Sequence, residues 1–201
     1  MPLETSSALR LTILLRVSPS IVLFDSVKSL DPSPVEPGQA FNLKENLSSL
    51  ITFFHQFSRE MTGGTVECVT FDPIDTSTQT VQTTASLRRK QKSLSNTAAG
   101  LNMYTTQNEK IIIAFIMHRT FIVNNKISKS KIQQEMNNCL NEFMKRYGDD
   151  LMKNHDEFVR LHKESLNDTQ QKSNTEAIAT ITKIFKGFHD YADKFQFTQN
   201  G

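Results

Sequence analysis

The pattern of apolar residues near the N-terminus is typical of β-strands. Residues 9–17 and 21–30 are both rich in Val, Ile, Leu and Phe, and Ser18, Pro19 and Ser20 separate them. Short clusters of Ser and Pro between such runs are turn signals. The pattern therefore predicts a β-hairpin, followed by a loop over the proline-rich residues 31–38.

From about Lys44 the apolar spacing changes to that of a helix and continues until Gly63 and Gly64, which predict its end. The residues in this stripe recur at helical spacing: Leu43, Leu47, Leu50, Ile51, Phe54, Phe57 and Met61. Phe53 shares the rim of this face with Leu50 and Phe57, and it widens the apolar arc beyond what one buried stripe uses. Burial of the helix on two sides would account for this width, with Phe54 in the core. Residues 65–71 alternate as a third strand.

Residues 74–109 differ in composition from the rest of the chain. One third of them are Ser or Thr, and Tyr104 is their one aromatic residue. Such a stretch buries too little apolar surface to offset the entropy lost on ordering. We therefore predict a flexible polar insertion over these residues.

The chain after residue 109 predicts one buried strand and then helices. Residues 110–117 form the strand, and 120–123 either extend it or pair back as a further strand. One helix then runs to about Gly148, and a weaker one covers residues 150–166. Strands clustered against helices predict an α+β sandwich with an antiparallel sheet over residues 8–166.

After a polar linker at 167–174, the apolar pattern predicts an amphipathic C-terminal helix over 175–197. Its apolar residues are spaced alternately three and four apart, a pattern that we call the C-terminal seam: Ile178, Ile181, Phe185, Phe188, Ala192 and Phe195. Two interpretations are open. The helix either folds back on its own domain or meets a partner as a short coiled coil.

Composition narrows the class of protein without defining it. The formal net charge of the 201 residues is only +2, so we expect no nucleic-acid partner on charge alone. The two cysteines, Cys68 and Cys139, form no C-x-x-C pair, which favours a reduced, cytoplasmic setting. The longest apolar run, residues 111–117, is far shorter than the roughly 20 residues of a membrane-spanning helix.

Candidate chemistry is sparse. The five histidines show no H-E-x-x-H motif or other close metal-ligand spacing, so we expect neither a metal site nor another cofactor. Neither cysteine has a histidine base nearby in the sequence, and no glycine-rich phosphate loop is present. We therefore expect a protein without catalytic activity.

A basic cluster lies within the polar stretch, formed by Arg88, Arg89, Lys90 and Lys92. It has three interpretations: a solubilising patch, an importin signal, or a peripheral contact with anionic membrane that phosphorylation of Ser93 or Ser95 would switch.

The first helix and the strand before it resemble the longin domain, the profilin-like fold of certain R-SNARE vesicle fusion proteins and trafficking subunits. Thr52, Phe53 and Phe54 match the T-F-F of that helix, and R-E-M-T-G-G follows where the family has R-T-G-x-G. D-S-V-K-S-L at 25–30 is similar to the family's S-E-V-K-D-L. The resemblance covers residues 8–72 by motif and 110–166 by topology.

The resemblance implies a five-stranded antiparallel sheet with one helix on one face and two on the other. It also implies a hydrophobic groove beside the first helix, so that Phe53 would serve binding and Phe54 folding. That groove would be lined by Leu50, Phe53 and Phe57, with the C-terminal seam as a candidate occupant. The implied partners are SNARE or tethering-complex proteins, in vesicle traffic at the cytoplasmic surface of endomembranes. Because the chain shows no C-a-a-X box, we expect a regulator or an unanchored SNARE relative. The alternatives are an α+β scaffold that recruits or regulates a small GTPase, and a hydrolase or transferase with scattered active-site residues.

Overall fold

A computed structural model describes residues 8–17, 20–29, 47–71, 100–165, 171–195 and 197. The described chain is an α+β domain with five strands, five α-helices and one 3₁₀ helix. The strands are β1 (Ala8–Leu15), β2 (Ile21–Ser29), β3 (Cys68–Phe71), β4 (Leu101–Gln107) and β5 (Ile111–His118). The helices are α1 (Leu47–Thr62), α2 (Arg119–Asn124), α3 (Lys129–Ser165), α4 (Gln171–Thr182), the 3₁₀ helix (Lys183–Phe188) and α5 (His189–Lys194).

The strands form one sheet in the order β2-β1-β5-β4-β3, and every neighbouring pair is antiparallel. This confirms the predicted α+β class, the antiparallel sheet and the N-terminal hairpin. All eight residues of β1 are buried, as are all of β5 except His118. Strands buried on both faces read as continuous apolar runs, and both faces here are covered by helices.

The two faces of the sheet carry different helices. On one face, Ile51 of α1 packs with Leu14 of β1, Met103 of β4 and the β5 residues Ile112, Ala114 and Ile116. The opposite face is larger and is covered by α3 and by the chain from α4 to α5. Its aromatic residues include Phe115, Phe143, Phe158, Phe185 and Phe188, all fully buried. Among the described helices, α1 is therefore the one that covers this face of the sheet.

The predicted end of α1 is confirmed. Gly63 has a φ of +67°, and its N–H donates to the carbonyl of Arg59 at 3.0 Å. A positive φ at this position is strained for residues with a Cβ atom, which is why glycine commonly ends helices.

The predicted position of the fifth strand is wrong. Residues 120–123 lie in helix α2, whereas Leu101–Gln107, which we placed in the flexible insertion, forms β4 between β5 and β3. The strand is polar, but its buried Thr105 donates its hydroxyl proton to the carbonyl of Val66. The rest of the predicted insertion, up to residue 99, lies outside the described residues.

The predicted break at Gly148 is also wrong, because α3 runs without interruption from Lys129 to Ser165. A glycine in a helix costs about 1 kcal/mol relative to alanine. Phe143 and Leu151, on either side of Gly148, are both fully buried. Burial of one such side chain contributes about 2 kcal/mol or more, so packing outweighs the glycine.

The C-terminal region is one helix in the prediction and three in the structure. Helix α4 begins at Gln171, inside the predicted linker, and the 3₁₀ helix and α5 follow in place of a regular helix. Gly187 lies against Tyr147, where an added Cβ atom would come within 2.7 Å of the tyrosine hydroxyl oxygen. The segment that carries the C-terminal seam thus packs closely against α3.

Gly100, directly before β4, has no room for a side chain. A Cβ atom there would lie 2.5 Å from the carbonyl oxygen of Phe71 and 2.8 Å from a guanidinium nitrogen of Arg119. Gly100→Ala should therefore lower the free energy of unfolding by about 1–3 kcal/mol, the usual cost of overpacking. Urea unfolding measures this change. Gly148→Ala is the control, since its Cβ would meet only Met144 at 3.5 Å, and equal stability of the two variants would contradict the prediction.

Candidate functional site

The candidate site is built on α1, whose apolar arc is wider than its contact with the sheet. Ile51 and His55, one turn apart, face the sheet and are buried. Phe54 is half-buried, and its ring meets that of Phe71 in β3 edge to face, with centroids 6.2 Å apart. The helix therefore rests on the sheet through a narrow line of side chains.

Three large apolar side chains on α1 are exposed. Phe53 is 59% exposed, Phe57 52% and Met61 68%. Residues four apart lie above one another on a helix, so these three form one line, which we call the exposed flank of α1. The rings of Phe53 and Phe57 stack with centroids 6.0 Å apart. An exposed row of large apolar residues is typical of an interaction surface.

Ring contacts join this flank to the edge of the sheet. Phe53 lies against Phe54, with centroids 5.7 Å apart, and Phe54 in turn lies against Phe71. Strand β3 is the last strand of the sheet, and in the described part of the chain its outer edge pairs with no other strand. The exposed flank and β3 thus form one continuous surface beside the helix.

The structure brings the predicted groove residues together. Phe53 and Phe57 lie in the exposed flank, and Leu50, half-buried, lies one turn before them on the same side of α1. Met61 was missed as a site residue because its spacing places it in the same stripe as Phe54. That stripe was predicted to be core, and this is wrong for Phe57 and Met61, because the sheet covers only the side of α1 that carries Ile51.

The C-terminal seam does not occupy this groove in the structure. Phe185 and Phe188 are fully buried on the other face of the sheet, Phe195 lies there beside Phe115, and Ile178 and Ile181 are half-buried. Helix α3 covers only part of the apolar surface on that face, and the C-terminal seam covers more of it. The C-terminal seam is therefore not the occupant of the groove beside α1. The segment folds back on its own domain, which is one of its two interpretations.

Lys28 of β2 holds the end of this segment in place. Its ammonium group donates to the carbonyl oxygens of Asp193 and Phe195, the latter at 2.8 Å. Cations are favourable at the C-terminal end of a helix, where carbonyl groups lack intrahelical partners. Desolvation lowers the pKa of Lys28, and the nearby Asp193 opposes that shift.

The other candidate chemistry stays scattered. No group of three His, Cys, Asp or Glu side chains in the described ranges could hold a metal ion. Burial raises the pKa of the Cys139 and Cys68 thiols, which keeps both protonated near neutral pH. The basic cluster of Arg88, Arg89, Lys90 and Lys92 lies outside the described residues.

A polar cavity of about 390 Å³ lies at one end of the sheet, beside the β4–β5 turn. Its lining includes Arg16, Glu67, Gln107 and Glu109. Arg16 donates to the carbonyl of Asn108 at 3.2 Å, and Glu67 pairs with Lys129 at 2.8 Å. Pockets that bind small ligands are mostly apolar, with a few converging polar groups. The lining of this cavity is mostly polar, so we take the exposed flank as the candidate site.

Two further findings concern the whole described chain. None of its helices combines the length and the apolar character that crossing a bilayer would require. Comparisons with protein-family models, with curated proteins and with solved structures found no match to this chain.

Proposed function

We propose that this chain is a non-enzymatic, longin-like interaction module in vesicle-mediated membrane traffic. It binds a helix of a SNARE or tethering-complex protein on the exposed flank of α1. It acts at the cytoplasmic surface of endomembranes, where the basic cluster at 88–92 would make a peripheral contact with anionic lipid.

One observation carries the proposal, the exposure of Phe53, Phe57 and Met61 in a single row beside an edge strand. Helix recognition in grooves uses apolar anchors at spacings of three and four residues, and this row supplies a complementary apolar surface. Large aromatic residues are also the ones that most often dominate binding energy at interfaces. The T-F-F motif that suggested the longin resemblance supplies Phe53.

The sheet architecture is a second support. A five-stranded antiparallel sheet with α1 on one face and helices on the other is what the resemblance implied, whereas a parallel sheet would have removed it. Because a fold alone does not imply a function, the proposal rests mainly on the exposed flank.

Phe53→Glu tests the proposal. Since the Phe53 side chain lies largely in solvent, the variant should keep its stability within about 0.5 kcal/mol. A charge at the centre of an apolar interface should reduce recovery of the partner by about tenfold or more. The measurement is capture from an extract of the source cells with the full chain as bait, followed by mass spectrometry.

Met152→Glu is the matched control, because Met152 is similarly exposed, at 54%, but lies on α3. The proposal predicts capture of SNARE or tethering proteins by the wild type and by Met152→Glu, and its loss in Phe53→Glu. Capture that is unchanged in Phe53→Glu would refute binding at the flank. Enrichment of small GTPases instead would support the scaffold function.

A further inference from the structure

His55 is a buried polar residue in the contact between α1 and the sheet. It lies one turn from Ile51 on the same side of the helix and is only 8% exposed. Neither of its ring nitrogens has a hydrogen-bond partner in the part of the chain that the structure describes. A buried polar group without a partner is costly, and it is far more costly when it carries a charge.

In the part of the chain that the structure describes, the charge that acts on the His55 ring does not compensate a proton there. Arg16, at the end of β1, is the charged residue whose field acts on the ring, and it has the same sign as protonated histidine. The other titratable groups on this face of β1 and β5 are Arg10 and His118. Arg10 is engaged in a salt bridge with Asp25 of β2.

The same residue belongs to the helix that presents the exposed flank. Phe53 and Phe57 keep their positions only while α1 lies on the sheet, and none of the other described helices packs beside α1 on that face. Among the described side chains of α1, Ile51 is the fully buried apolar one that holds the helix on the sheet. Weakening the contact at His55 would therefore act directly on the docking surface.

We propose that His55 is a proton-sensitive latch: protonation of its ring loosens α1 from the sheet and disorganises the exposed flank. A partner that needs the ordered flank then binds less tightly as the pH falls. This inference rests on the proposed function only for the identity of the surface that is regulated.

The pH window follows from the direction of the shift. Burial, and secondly the charge of Arg16, lowers the pKa of His55 below its ordinary value of 6.5. When α1 detaches, the ring regains its ordinary pKa and takes up a proton, so the detached state gains stability as the pH falls below 6.5. The latch contributes fully above that pH and weakens progressively below it.

Hydrogen exchange of residues 51–62 at pH 7.5 and pH 5.5 tests the latch on the isolated chain. After correction for intrinsic rates, the protection of these amides should fall by up to about tenfold, the factor by which a group of pKa 6.5 favours the open state one pH unit below it when the closed state stays unprotonated. In His55→Leu the fall should disappear, while protection of β5 should stay unchanged in both proteins. If His55→Leu does not fold, His55→Gln removes the same proton site.

His118→Gln separates the two histidines, since burial lowers the pKa of His118 as well. That variant should retain the same fall in protection as the wild type. An equal fall in His55→Leu and the wild type would overturn the proposal, as would unchanged protection of α1 in the wild type at pH 5.5. Neither measurement involves a partner, so failure of the proposed function would leave this result standing.

Discussion

Replacing Phe188 with alanine should lower the free energy of unfolding by about 3–5 kcal/mol, the usual cost of removing a buried ring. Phe188 is fully buried where β2, α3 and the C-terminal segment meet. Its ring centroid lies 5.4 Å from that of Phe24, 5.2 Å from Phe143 and 4.9 Å from Tyr191. Because these neighbours belong to three elements, the cavity should also loosen the C-terminal segment.

Ile184→Ala is the control for this prediction. Ile184 lies in the same 3₁₀ helix, but its side chain is 38% exposed. Its truncation should cost about 1 kcal/mol or less. Urea unfolding gives both free energies, and hydrogen exchange over residues 171–195 reports the loosening. Equal losses in the two variants would show that the C-terminal seam does not seal the core.

The seam shows what apolar spacing can and cannot specify. Spacings of three and four residues correctly predicted which side of the segment would be apolar, and Phe185 and Phe188 are indeed buried. The same spacing suits a helix that packs on a partner, in a groove or on its own sheet. The choice depends on how much of the sheet other elements leave uncovered, and that area is a property of the assembled fold.

Strand β4 was missed for a different reason. Only Met103 and Tyr104 of its buried residues are apolar, and they are adjacent, so no alternation marks the strand. Its order comes from pairing with β3 on one side and β5 on the other, and from the hydrogen bond of Thr105 to the carbonyl of Val66. Such long-range pairing leaves no local signal, whereas β1 and β5 were predictable because each is a long run of mostly apolar residues.

The exposed flank was predictable in part. The resemblance to a T-F-F motif pointed to Phe53, and the width of the apolar arc indicated that one buried stripe could not hold every aromatic ring of α1. What the spacing could not show is where the sheet stops covering the helix. That limit puts Phe57 and Met61 outside the core and leaves His55, a polar residue, inside it.

His55 illustrates a buried polar group that local sequence does not reveal. A histidine between aromatic residues on a helix was equally compatible with the solvent side. Its burial follows from its position one turn after Ile51, which becomes informative only once Ile51 is known to be the anchor. The burial of His55 therefore follows from the packing of α1 on the sheet.

Asp25→Ala should lower the free energy of unfolding by about 3 kcal/mol, because it removes the carboxylate that compensates a buried guanidinium group. Arg10 donates from Nε and Nη2 to the two carboxylate oxygens of Asp25, at 2.9 Å and 2.7 Å. The hydroxyl of Thr12 donates to the same carboxylate at 2.8 Å. Arg10 is buried between β2 and β5, so its charge would be left in a poorly solvated place.

The double variant Arg10→Met with Asp25→Leu separates the charge from the packing. Arg10 is the buried partner of this pair, whereas Asp25 is exposed. Replacing both partners of such a pair with apolar residues removes the buried charge, so this variant should recover most of the loss measured for Asp25→Ala. Glu67→Ala is the surface comparison, since the bond from Glu67 to Lys129 has a similar length of 2.8 Å but both side chains are exposed. Exposed pairs contribute little, so its urea midpoint should stay near that of the wild type. If Asp25→Ala lowered the free energy of unfolding as little as Glu67→Ala, the burial of Arg10 would not make its ion pair with Asp25 more stabilising than a surface pair.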